Sequence, residues 1–186
     1  MTAFQSEIKA DIVLHCCCGP CATACIERLL EENLRPLLYF SNSNINSREE
    51  YELRLAQLRI VAEFFHVPLA VDEYRHELWL KHCSALEGFR DAPERGPRCR
   101  LCFQWSLGRT AAFAAASGLP FTTSLTVSPH KPAAMIFSLG SVHPGFRPYD
   151  FKKRNGFLRS IQLAKELQLY RQNYCGCEFS LRPEAE

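Results

Sequence analysis

Cysteines are the feature of this chain that most restricts how it can fold. Of the ten, four fall in Cys16-Cys17-Cys18-Gly19-Pro20-Cys21, two in Cys99-Arg100-Leu101-Cys102 and two in Cys175-Gly176-Cys177; only Cys25 and Cys83 stand apart. Their density is below the roughly 8–10% of disulfide scaffolds, and the chain is too long to need staples. In a reducing compartment such groups are metal ligands or redox pairs rather than disulfides. Thiolates are soft ligands that suit iron–sulfur clusters, zinc or copper(I). One Cys-x-x-Cys pair alone is weak, since it also fits a structural zinc half-site or a dithiol redox pair. Three groups together exceed the four ligands of tetrahedral zinc, and two adjacent metal centres would absorb the excess. The Gly19-Pro20 turn is similar to a dithiol oxidoreductase turn, but that reading leaves the two distant pairs unexplained. Cys25 and Cys83 read as small buried hydrophobes.

With 186 residues, 47% apolar and 23% charged, the composition is that of one soluble globular domain. Glu7 and Asp11 interrupt the N-terminus, and the apolar run at 12–14 is too short for a signal-peptide core. Residues 110–130 carry no formal charge, but Gly118 and Pro120 break the stretch into buried helix plus strand rather than a membrane span. The expectation is a cytoplasmic protein that does not enter a membrane.

Periodicity predicts strands at 11–15, 35–41, 67–72 and 121–127, and helices at 22–33, about 47–65, 76–88 and 99–117. Ser47 with Glu50 three residues on reads as a capping box. Strands alternating with helices predict an α/β fold with a small parallel sheet and flanking helices. The expected organisation is one domain over 1–186, with an α/β core at 11–130 and a C-terminal helical extension at 131–186 carrying the Cys-Gly-Cys tail. Ligand sites in such sheets lie beyond the carboxyl ends of the strands. That is where the first cysteine group and Ser128-Pro129-His130 fall.

The net charge is only +2, yet Arg147, Lys152, Lys153, Arg154, Arg159, Lys165 and Arg171 face just Asp150 and Glu166 in the C-terminal stretch. Such a run is either a solvated helix face or a phosphate-contacting surface. No Gly-rich dinucleotide fingerprint is present, so any electrons would come from outside the chain.

Six segments stand in a set order: Leu14-His15-Cys16-Cys17-Cys18-Gly19-Pro20-Cys21; Tyr39 to Ile45 with Glu50-Tyr51 and Arg54; Glu94 to Phe103 with Thr110-Ala111; Thr122 to Leu125 with Ser128-Pro129; Asp150 to Lys153 with Gly156; and Tyr170 to Cys177. In these motifs and their order the chain resembles the epoxyqueuosine reductases of the QueH family. The first looks like the family's opening, with Cys16 at its variable position, the second is similar to its asparagine-rich segment and the third to its central element. The resemblance implies a nucleotide-binding-like fold of the adenine nucleotide alpha hydrolase type. It also implies a 4Fe–4S cluster beside a mononuclear iron. Cys17, Cys18, Cys21, Cys99, Cys102, Cys175 and Cys177 match the ligand positions, four for the cluster and three for the iron, with the division open; some relatives have Asp where Cys21 stands. It implies reductive removal of the epoxide oxygen of epoxyqueuosine in a tRNA anticodon. The electrons would come from a donor such as a ferredoxin or flavodoxin. Asp150, His130 and Tyr174 are candidate proton donors, and Phe103, Trp105 and Tyr174 candidate stacking partners for an extruded base. Arg90, Arg95, Arg98 and Arg100 extend the candidate tRNA surface. Two other classes remain: a zinc- or cluster-bearing nucleic-acid-binding module, and an ATP-using tRNA sulfurtransferase. The latter would carry a Ser-Gly-Gly-x-Asp-Ser-type loop where this chain has cysteines.

Overall fold

The computed structural model describes residues 9–181. Its sheet has four parallel strands in the order β3-β2-β1-β4: β1 (Ile12–His15), β2 (Pro36–Phe40), β3 (Leu69–Val71) and β4 (Phe121–Thr123). The helices are α1 (Gly19–Glu31), α2 (Arg48–Phe64), α3 (His76–Cys83), α4 (Pro97–Ala116), α5 (Ala133–Gly140) and α6 (Gly156–Glu166).

Helices on both faces explain why β1 and β2 read as unbroken apolar runs: every residue of both is buried. Alternate side chains enter different layers. Ile12 and Leu14 pack with Ile26 and Leu29 of α1 and Leu55 and Leu58 of α2. Val13 packs with Phe103 and Leu107 of α4, Phe121 of β4 and Ile136 of α5.

Several boundaries differ from the sequence expectation: the helix expected at 76–88 ends at Cys83, and two other shifts have a plain local reason. α1 starts at Gly19, because Pro20 in the first turn gives up an N–H that would have no partner there. β4 stops at Thr123, and residues Ser124–Val127 coil into a 3-10 turn. Thr123 Oγ1 accepts the Leu125 N–H at 3.1 Å, and Thr126 Oγ1 donates to the Tyr149 carbonyl at 2.7 Å. Hydroxyls that bond nearby backbone divert a β-prone segment from the ladder.

The capping box is half formed. Ser47 Oγ accepts the Glu50 N–H at 3.2 Å, while the Glu50 carboxylate turns to Arg54 Nε at 2.6 Å. After α6 the chain returns across α2, where Tyr170 N–H donates to Gln57 Oε1 at 2.9 Å and Asn46 N–H to the Gly176 carbonyl at 2.7 Å. α6 itself packs on α1 behind two left-handed residues, Arg154 (φ 58°) and Asn155 (φ 60°).

A Cβ on Gly156 would collide with the Phe151 carbonyl oxygen. Gly156→Ala is therefore expected to cost about 1–3 kcal/mol of stability. At about 2–4 °C per kcal/mol for a chain of this size, thermal unfolding should detect it as a lowered Tm.

Candidate metal centre

β1 delivers the first cysteine group to the carboxyl edge of the sheet, and His15 braces its arrival. His15 is fully buried, with Nε2 3.2 Å from the Ser41 carbonyl and Nδ1 2.9 Å from Thr123 Oγ1. A carbonyl only accepts, so Nε2 carries the proton and Nδ1 accepts from the threonine hydroxyl. Burial lowers its pKa, which keeps this neutral tautomer. The ends of β1, β2 and β4 are thereby joined. Asn42 Nδ2 donates to the Cys16 carbonyl at 2.8 Å, and Cys17 N–H donates to Ser124 Oγ at 3.2 Å. Cys16 itself turns into the core, its thiol donating to the Leu14 carbonyl.

The Sγ atoms of Cys17, Cys18 and Cys21 lie within 4.8 Å of one another, among the described residues the one group of three or more such side chains close enough to share an ion. Hydrogen bonds from Cys18 and then Cys21 hold the Cys17 thiol well below its ordinary range. The same sharing pushes Cys18 up to about 11 and Cys21 higher than its usual value. One thiolate thus forms readily, and a bound cation would displace the remaining protons.

Cys99 and Cys102 stand three residues apart on the first turns of α4, so they share a face at a helix N-terminus, where negative charge is favoured. Arg95, left-handed at φ 65°, donates its N–H to Cys99 Sγ at 3.2 Å. Cys175 and Cys177 come from the returning tail, which Arg54 clasps. Its Nη1 donates to the Cys175 carbonyl at 2.9 Å while Nε holds Glu50. Gly176 at φ 130° turns the chain beside it, and a Cβ there would lie 2.9 Å from Arg54 Nη1. Ser180 Oγ accepts the Gly176 N–H at 3.2 Å.

Cys99, Cys102, Cys175 and Cys177 line one cavity of about 340 Å³, and Cys21 lines it too, so the tight triad borders the wider quartet. Cys17 and Cys18 stand behind Cys21. Three thiols at single-ion spacing and four more around a cavity fit an ion next to a larger all-sulfur group. A cluster's own atoms fill the middle, so its ligands stand further apart than those of one ion. The donors fit the group that the sequence implied. Lys131 borders both sets. Burial opposes its charge, but the thiolates of Cys17, Cys175, Cys21 and Cys18 outweigh burial and hold the ammonium above its usual range.

The other sequence candidates divide. His130 and Tyr174 line the cavity, as does Phe103. Asp150 does not: its carboxylate accepts the Lys152 N–H at 3.3 Å and stands 3.8 Å from Lys152 Nζ. Trp105 instead packs against His82 and beneath Arg109. Cys25 and Cys83 are fully buried in the core. In the basic stretch, Arg159 is taken up by Glu27 and Glu166, Arg154 by Glu31, and Lys152 Nζ donates to the carbonyls of Thr126 and Lys131. Arg147, Lys153, Lys165 and Arg171 stay exposed. The sequence reading missed Lys131 and the clasping role of Arg54. Lys131 had a signal in its place after the fourth strand; Arg54 stood only within a matched motif, because only the fold brings the tail to α2. Among the described residues no helix is long and apolar enough to cross a membrane.

The family model described as epoxyqueuosine reductase QueH matches residues 12–183. The chain is 33% identical to the epoxyqueuosine reductase QueH of Thermotoga maritima, over 94% of this chain and 92% of that protein. It is 34% identical to that of Staphylococcus aureus, over 95% and 78%, and 32% identical to that of Streptococcus pyogenes, over 96% and 73%. Three separated cysteine groups converge on one cavity, and the match runs through all three. This chain belongs to the epoxyqueuosine reductase QueH family.

Proposed function

We propose that this protein reduces epoxyqueuosine in tRNA to queuosine. Two electrons and two protons convert the epoxide into an alkene, with the epoxide oxygen leaving as water. The observation that carries this reading is that Cys21, whose Sγ lies within 4.8 Å of those of Cys17 and Cys18, lines one cavity with Cys99, Cys102, Cys175 and Cys177. The spacing supports a division: Cys99, Cys102, Cys175 and Cys177 would hold a 4Fe–4S cluster, and Cys17, Cys18 and Cys21 a mononuclear iron. When bound, the cluster supplies single electrons and the iron a Lewis acid.

The chain's own residues supply protons and position. His130 Nδ1 accepts from Arg95 Nη2 at 2.9 Å, so its neutral ring carries a proton on Nε2. Burial raises the pKa of the Tyr174 phenol, which stays protonated at neutral pH, under the Arg54 guanidinium 5.1 Å from its ring centre. Both line the cavity and are the proton donors proposed here. Asp150 acts as a positioning residue: it faces Lys152, whose ammonium holds the Lys131 carbonyl at 3.2 Å. Phe103 and Tyr174 offer faces for an extruded base. The lining is basic, with Arg95, Arg98, Lys131 and Arg171 against Glu94 as its one acid, which suits a nucleotide and its phosphates. Electrons would arrive from a ferredoxin or flavodoxin, and the enzyme would work in the cytoplasm where tRNA is modified.

Anaerobically prepared protein is expected to contain about five irons and four acid-labile sulfides per chain, the sum of one 4Fe–4S cluster and one iron. With a chemical reductant it should remove one oxygen atom from epoxyqueuosine-containing tRNA, read by nucleoside mass spectrometry without ATP. Cys99→Ala should abolish that conversion. Cys83→Ala should retain most of it, at about 1 kcal/mol of stability. Stoichiometric zinc without sulfide, or normal conversion by Cys99→Ala, would overturn the assignment.

Arg95→Ala combined with Arg171→Ala should weaken tRNA binding and lower its salt slope by about 0.7–0.9 for each phosphate that is no longer neutralised. Lys152→Ala should leave the slope unchanged, because that ammonium is engaged by backbone carbonyls. Filter binding over a salt series distinguishes the two.

A further inference from the structure

Two arginines are buried, and one of them has a carboxylate: Arg54 pairs with Glu50 at 2.6 Å. Arg98, only 3% exposed, has no carboxylate within ion-pair distance among the described residues. Glu178, near it in the tail, meets His76 at 3.5 Å instead. Arg98 Nη1 donates to the carbonyls of Phe89 (2.7 Å) and Arg90 (3.1 Å), and the guanidinium carbon lies 4.4 Å from the Phe179 ring centre. Its Nε is buried with no acceptor, as is Nε1 of Trp79.

A buried cation without a counter-charge is costly, and folds keep one where an anion answers it. Arg98 and Trp79 line the same cavity as Cys99, Cys102, Cys175 and Cys177. The space that Arg98 faces is thus the one walled by the quartet. Four thiolates around a 4Fe–4S core carry net negative charge, which grows by one on reduction. A fixed cation beside them stabilises the reduced form more than the oxidised one, and net charge and hydrogen bonds to sulfur are what set such potentials.

We propose that Arg98 is the resident counter-ion of the bound cluster and sets its reduction potential, acting as a positioning residue through charge and its free N–H rather than by touching substrate. This rests on the cluster assignment made above. Its test is a redox titration followed by electron paramagnetic resonance on anaerobically prepared wild-type, Arg98→Gln and Arg98→Lys proteins, with iron and sulfide counted in each. Arg98→Gln should make the cluster at least tenfold harder to reduce, a midpoint lower by about 59 mV or more. Arg98→Lys, which keeps the charge, should stay nearer to wild type. If Arg98→Gln fails to hold the cluster while Arg98→Lys holds it, the counter-ion role also stands. Fully loaded Arg98→Gln with the wild-type midpoint overturns the proposal, as does equal loss of the cluster from both variants. Wild-type protein without labile sulfide would instead remove the cluster assignment, and this proposal with it.

Discussion

The contact between Arg54 and the Cys175 carbonyl ties the tail cysteines to the rest of the site. Two of the seven thiols that face one another come from the tail, which has no strand or helix of the sheet to hold it. A buried guanidinium solves that by placing one arm on Glu50 of its own helix and another on the tail backbone. The turn then needs a residue without a side chain, because the guanidinium fills the space where a Cβ would stand, and Gly176 meets both demands. Half of the capping box is given up for this: Glu50 serves the arginine instead of the helix start.

Around that clasp the site is organised by charge. Gathering thiols in a buried place raises the free energy of their ionised forms, since desolvation and mutual repulsion act in the same direction. Cations offset this at three points. Arg54 bonds the Cys175 carbonyl, and Lys131 and Arg98 line the cavity with the quartet. Lys131 is held through its backbone by Lys152, whose own charge is answered by Asp150. Asp150, a candidate proton donor in the sequence, thus stands next to Lys152 and not in the cavity lining.

Pairing also separates the two uses of positive charge in the C-terminal half. Arg159 and Arg154 fasten α6 and its preceding turn to acidic residues of α1, which makes that part of the basic stretch structural. The cations free to meet phosphate are those at the cavity and on the outer surface. Arg95 combines both roles, with its amide on the Cys99 sulfur and its side chain on His130.

From the amino-acid order alone, the alternation of strands and helices, the one-layer parallel sheet and the site's place beyond the strand ends were all legible, because hydrophobic period and strand polarity are local properties. So were the three cysteine groups, since adjacent thiols announce themselves by spacing. What tertiary structure decided was the division of those groups and the work of the polar residues. Cys17, Cys18 and Cys21 form a tight triad because the end of β1 and the first turn of α1 present them together, whereas the quartet is assembled from a helix start and a tail far along the chain. β4 ended early because threonine hydroxyls found backbone partners that no propensity counts. Arg54 meets the Cys175 carbonyl and Arg98 the Phe179 ring only in the folded chain: a buried charge is defined by what stands next to it, and only folding sets that.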